Sequence, residues 1–213
     1  MIDIIRVLTK LAEQRPIFHS EADFQHALAW EIHQQWPTCS IWLECKTPYL
    51  DDRSHLDIWA FSDNATLAIE LKYKTRALRA DVDGEIFSLK DQSAQDIGRC
   101  DFLKDIHRLE QIVSGCSDII GYAILLTNDR SYWNPPRRDD TVDAEFRIHE
   151  GKTITGKLGW SAETSKGTME GREEPIVIKG TYRLLWQDYS EPSKESYGKF
   201  RYLLVTVDGG HGA

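Results

Sequence analysis

At 213 residues and 41% hydrophobic content, the chain can bury one sizeable core, with room for no more than a small second lobe. Its formal charge of −8 excludes a protein that coats nucleic acid non-specifically. No apolar run approaches bilayer-spanning length and the N-terminus lacks a signal-peptide core, so the chain reads as cytoplasmic with no membrane partner.

The opening segment Ile2 to Leu11 predicts a helix packed outside the main sheet. A second helix is predicted over Ser20 to Gln35. Ser20 is its N-cap, Asp23 stands three positions on, Phe24, Ala27, Leu28 and Ile32 form the apolar stripe, and Pro37 ends it. Glu21 is in phase with Phe24 and Leu28 and should lean toward the sheet from the first turn. Ile41 to Lys46 is the first strand. Two more follow in HLDIWAFSDNATLAIELKYK, residues His55 to Lys74, joined by a polar turn at Ser62-Asp63-Asn64.

The third strand alternates charged and apolar residues, so Glu70 and Lys72 point to one face. The second is apolar on both faces, which places Asp57 on a covered surface across the hairpin from Glu70. Two carboxylates crowded at partial burial are costly without a cation. A hard divalent ion that keeps several waters, Mg²⁺ or Mn²⁺, suits such oxygen ligands. A neighbouring lysine can orient the attacking water and stabilise charge growing on a phosphate.

Past this strand, Lys74, Arg76 and Arg79 reverse the local sign of an acidic chain, as phosphate contacts require, before a polar passage through Asp81-Val82-Asp83-Gly84-Glu85. Asp91 to Ser114 predicts a long helix with Phe102, Ile106, Leu109 and Val113 on its apolar side. Gln92, Asp96 and Arg99 form a polar stripe on its first half, and Gly115 closes it. Ile119 to Leu126, apolar throughout, predicts a strand buried on both faces after a helical crossover.

From Tyr132 onward the pattern becomes strand-like: Glu145 to His149, Thr153 to Leu158, Ile176 to Trp186 and Phe200 to Val207. Ser161 to Pro175 holds few apolar residues and is expected to be a mobile loop. Trp133, Trp160, Tyr182, Trp186 and Tyr189 read as core aromatics, with a partner surface as the alternative. Cys39, Cys45, Cys100 and Cys116 have no paired spacing and read as reduced thiols. His19, His26 and His33 recur every seven residues, which marks a helix flank rather than a metal site.

An acid on one core strand followed by Glu-x-Lys on the next resembles the PD-(D/E)XK nuclease superfamily, matched here by Asp57, Glu70 and Lys72, with Leu56 where a proline often stands. Glu-x-Lys alone carries little, since a chain of this length holds about one by chance. The apolar flanks on both strands are what give it weight.

The resemblance covers roughly residues 18 to 130. It implies an α/β fold with a restriction-endonuclease-like core, a mixed central β-sheet flanked by helices in the order αβββαβ, and leaves residues about 131 to 213 as a β-rich extension of a single domain. It implies a Mg²⁺-dependent endonuclease acting on DNA, with Asp57, Glu70 and Glu21 at the metal, the Leu71 carbonyl as a further ligand, and Lys72 assisting the water. It further implies that Gln92 and Asp96 brace the site; their other reading is an exposed polar face. RNA as substrate stays open, as does a homodimer or larger complex. So does a catalytically silent nuclease-fold module of a phage or defence system.

Overall fold

The computed structural model describes residues 2–47, 49, 54–62, 65–114, 116 and 118–209. In chain order the elements are α1 (Ile4–Gln14), α2 (Glu21–Gln35), β1 (Ser40–Cys45), β2 (Leu56–Ser62), β3 (Ala65–Lys74), β4 (Leu78–Val82) and β5 (Glu85–Leu89). They continue with α3 (Gln95–Val113), β6 (Ile119–Thr127), β7 (Thr153–Leu158), α4 (Lys166–Met169), β8 (Ile176–Arg183), β9 (Trp186–Ser190) and β10 (Phe200–Val207). The chain is therefore mixed α/β, built on a mixed six-stranded sheet of order β1-β2-β3-β6-β10-β9.

The meander β1-β2-β3 is antiparallel, with Ser62 opposite Ala65 at the tight end of the second hairpin. Asp63 and Asn64 of the expected turn lie outside the described residues, as does Gly115 at the expected helix end. Helix α3 then crosses over so that β6 runs parallel to β3, pairing Glu70 with Ala123 and Lys72 with Leu125. Parallel neighbours need such a crossover because a tight turn cannot reverse the chain twice.

Each helix packs because one stripe of it is apolar. Helices α1 and α2 cover one face of the sheet, burying Val7, Leu8, Leu11, Phe24, Leu28 and Ile32 against Ile58, Leu67, Ile69 and Tyr73. Helix α3 covers the other face with Phe102, Ile106, Leu109 and Val113, joined there by the β7-β8 hairpin. Ser20 caps α2 as its motif predicts, its Oγ accepting from Asp23 N–H at 3.1 Å.

Several expectations need correction. The passage at Asp81 to Glu85 is the tip of the β4-β5 hairpin, with Asp83 and Gly84 both at positive φ and the Asp81 carboxylate accepting from Gly84 N–H. Helix α3 begins at Gln95, because Ala94 takes the left-handed conformation and the residues before it are tied to the end of β3. Residues 145–149 are no strand; a single 3₁₀ turn spans Ala144–Phe146.

The expected strand from Ile176 to Trp186 breaks at Leu184-Leu185 and moves from the β7 hairpin to the edge of the main sheet. Ser161 to Pro175 is pinned: Trp160 Nε1 donates to Arg172 O at 3.0 Å, and Arg172 Nε donates to Asp101 of α3 at 2.8 Å. Strand β10 lies inside the central sheet between β6 and β9. Trp133, Tyr182, Trp186 and Tyr189 are buried, which takes them out of any partner surface. The four cysteines are free thiols, Cys39 and Cys100 buried. Among the described residues, no helix is long and apolar enough to cross a membrane.

Candidate active site

Glu70 and Lys72 project from β3 toward α3, as their spacing predicts, and α3 meets them with two charged residues. The Lys72 ammonium lies 2.7 Å from Asp105 Oδ2. Arg108 Nη2 donates to Asp105 Oδ1 at 2.6 Å and stands 2.9 Å from Glu70 Oε1. Asp105 and Arg108 sit one helical turn apart, which lets a single guanidinium nitrogen reach both carboxylates.

Asp57 reaches the same place from β2. The paired ladder between β2 and β3 runs from Ser62 opposite Ala65 to Ile58 opposite Ile69. Just beyond it Asp57 Oδ2 accepts from Leu71 N–H at 2.6 Å, so a side chain takes up the backbone donor where the two strands part. Gln25 of α2 steadies this edge, its Nε2 donating to Asp57 O and to Glu44 Oε1, each at 2.7 Å. Glu44 itself holds a positive φ of 48°, a kink in β1 next to the site.

Glu70 is 1% exposed, and the close partner of its carboxylate is the Arg108 guanidinium at 2.9 Å. Burial pushes its carboxyl well above the usual range, reinforced by Asp105 and Asp57 and opposed by Arg108 and Lys72. Burial likewise raises Asp105, to about 6, against the pull of Lys72 and Arg108. For Lys72 burial acts downward, but Asp105 and Asp57 outweigh it and hold the ammonium above the ordinary lysine range. The pocket thus sets three carboxylates against two cations, and the shielded Glu70 oxygens suit a further positive charge.

A hard divalent ion fits that need, since Asp57, Glu70 and the Leu71 carbonyl offer oxygens on adjoining strands. Among the described residues no three His, Cys, Asp or Glu side chains form a ready-made metal cage. An ion here would keep most of its waters, as Mg²⁺ does. The Leu71 carbonyl now accepts from Lys72 Nζ at 3.0 Å.

The remaining predicted residues are placed as follows. Glu21 does lean to the sheet, and its Oε2 accepts from Tyr73 N–H at 2.7 Å, one residue past Lys72. Gln92 precedes α3 instead of riding on it. It braces the end of β3, its Oε1 accepting from Thr75 N–H at 2.8 Å and its own N–H donating to Thr75 O. Asp96 accepts from Ile97 N–H within its own turn, and Arg99 is committed to Asp143. Arg76 pairs with Asp91 at 3.0 Å and lies over the Tyr197 ring, while Lys74 is half-buried and Arg79 is exposed on β4.

Sequence reasoning missed Asp105 and Arg108. The available signal was Asp105 itself, a carboxylate three residues after Phe102 and four before Leu109, on the flank of an apolar stripe. A groove of about 690 Å³ beside α1 and α2, lined by Arg6, Lys10, Trp30 and Glu31 among others, shares no lining residue with this cluster. No family model, curated protein or solved structure matches the chain, so the site's own chemistry carries the functional reading.

Proposed function

We propose that the chain is a metal-dependent endonuclease of the PD-(D/E)XK type that hydrolyses phosphodiester bonds of DNA. The observation that carries the reading is Glu70: a fully buried carboxylate facing Arg108 at 2.9 Å, beside Asp57 and two residues from the half-buried Lys72. A carboxylate retained in that state costs stability, and a cation-dependent task explains its retention. The element order supports it too, because α2, the meander β1-β2-β3, the α3 crossover and the parallel β6 follow the core that the resemblance implies.

Asp57 and Glu70 would hold Mg²⁺ or Mn²⁺. Such an ion lowers the pKa of a bound water and offsets charge on the phosphate. Lys72, kept cationic by Asp105, orients the attacking water and meets the charge developing on the phosphate oxygens. Glu21 anchors β3 through Tyr73 N–H, which keeps Lys72 facing the site. Lys74 and Arg79 serve the nucleic-acid backbone.

The test is nicking of supercoiled plasmid in Mg²⁺ or Mn²⁺ by the parent and by Lys72→Ala, with DNA binding followed separately in Ca²⁺. The variant is expected to bind like the parent and to cleave about a hundredfold more slowly or worse. Cleavage at the parent rate would remove Lys72 from the reaction. A second reading, a silent nuclease-fold module, draws on the way Lys72 and Glu70 already face Asp105 and Arg108. A parent inert on DNA and RNA alike would select it.

A further inference from the structure

We propose that Arg108 is a built-in counter-cation: it stands in for the divalent ion at Glu70, yields that carboxylate when the ion binds, and then contacts the substrate phosphate. This rests on the metal-nuclease reading above.

The two contacts of Arg108 are unequal. Its Nη2 donates to Asp105 Oδ1, one turn back on the same helix, at 2.6 Å, and reaches across to Glu70 Oε1 on β3 at the longer distance of 2.9 Å. Asp105 is therefore the tether and Glu70 the releasable arm. The side chain is 29% exposed, so its head can swing outward without leaving Asp105, while Glu70 at 1% has no such freedom. Its Nε is buried with no hydrogen-bond partner, a donor that the present arrangement leaves unused.

Charge gives the direction of the exchange. Asp57, Glu70 and Asp105 against Lys72 and Arg108 leave an anionic surplus even with the arginine in place at Glu70, and Glu21 adds to it at Lys72. A divalent ion on Asp57 and Glu70 would cancel that surplus. It would also repel the guanidinium from Glu70, leaving Arg108 free to meet the anion that a nucleic-acid substrate brings, a phosphodiester. Arginine suits the second task because its planar fork matches phosphate oxygens. Glu21 reaches the strand from α2, its Oε2 accepting from Tyr73 N–H.

The experiment is a Mn²⁺ titration by calorimetry on the parent, Arg108→Met and Arg108→Lys, with DNA binding measured in Ca²⁺ across a salt series. Arg108→Met keeps the bulk and loses the competing charge, so its Mn²⁺ affinity should rise on the order of tenfold. Its DNA affinity should fall, and the log-log salt slope should shrink by about one unit. Arg108→Lys should keep a parent-like Mn²⁺ affinity and salt slope. Unchanged or weaker Mn²⁺ binding by a folded Arg108→Met would overturn the counter-cation role while leaving the nuclease reading intact. If Arg108→Met fails to fold, Arg108→Lys decides: a tenfold loss of its Mn²⁺ affinity would overturn the role. A parent that binds no Mn²⁺ and cuts no DNA overturns both.

Discussion

Lys72 Nζ lies 2.7 Å from Asp105 Oδ2, which joins the site strand β3 to helix α3 through a nearly buried pair. Burial alone would draw the ammonium down, and Asp105 is the largest influence holding it up. Asp105→Asn should therefore lower the pH at which Lys72 loses its proton. In a pH-rate profile of DNA cleavage, the alkaline limb should move to lower pH and the plateau should drop at least tenfold. A profile superimposable on the parent's would show that Asp105 only fills space.

Glu70→Gln tests whether the buried charge is retained at a cost. The substitution keeps the shape and balances the remaining Asp57 and Asp105 against Lys72 and Arg108. The metal-free protein should gain roughly 1–2 kcal/mol, or about 2–8 °C in thermal midpoint for a chain of this size. Its response to Mg²⁺ or Mn²⁺ should vanish. A large loss of midpoint instead would mean that the Arg108 contact outweighs the burial penalty.

Divalent ion at about a hundred times its Kd should stabilise the parent by roughly 2.7 kcal/mol, because only the folded form gathers Asp57 and Glu70. Asp57→Asn should erase that shift in differential scanning fluorimetry. Glu21→Gln should preserve most of it, since an amide oxygen still accepts from Tyr73 N–H. Loss of the shift in Glu21→Gln with full retention in Asp57→Asn would exchange their roles.

The two arginines after β3 should part company. Arg76 is paired with Asp91 and lies over Tyr197, whereas Arg79 is exposed. Arg79→Gln should reduce the salt slope of DNA binding by about 0.9, and Arg76→Gln by much less. Equal slopes for both variants and the parent would place the nucleic acid elsewhere.

Glu110 offers a control remote from the reaction. Its buried carboxylate accepts from Lys179 N–H, Gly180 N–H and Tyr182 Oη, stapling β8 to α3. Gly180 leaves no room for a side chain there, since a Cβ would lie 2.6 Å from the Tyr182 ring. Glu110→Ala should cost about 3 kcal/mol or more by orphaning buried donors, read as a shift of the urea midpoint. A cost below about 1 kcal/mol would show that water replaces the carboxylate.

What the sequence disclosed and what it withheld divide along the range of the interactions. The facing of Glu70 and Lys72 follows from a two-residue period, and the Ser20 cap of α2 from three adjacent residues, so both were legible. The Asp83-Gly84 turn was equally local; its signal was present and passed over. Asp105 and Arg108 become site residues only after a crossover carries α3 onto β3, and in one dimension they resemble any surface ion pair three residues apart. The break at Leu184-Leu185 is of the same kind. An unbroken apolar pattern does not reveal that one strand serves two sheets, because only the pairing of β8 with β7 and of β9 with β10 imposes the bend.

The interior place of β10 bears on how the protein comes into being. This strand is made after both of its neighbours, yet it must slot between β6 and β9 before the sheet is whole. During synthesis β6, apolar along nearly its entire length, waits with one flank unzipped, an invitation to pair with another nascent copy. Completion of the sheet is therefore gated by the arrival of β10, and a chain stopped short of residue 200 would be left sticky and unfinished in place of a smaller stable fold.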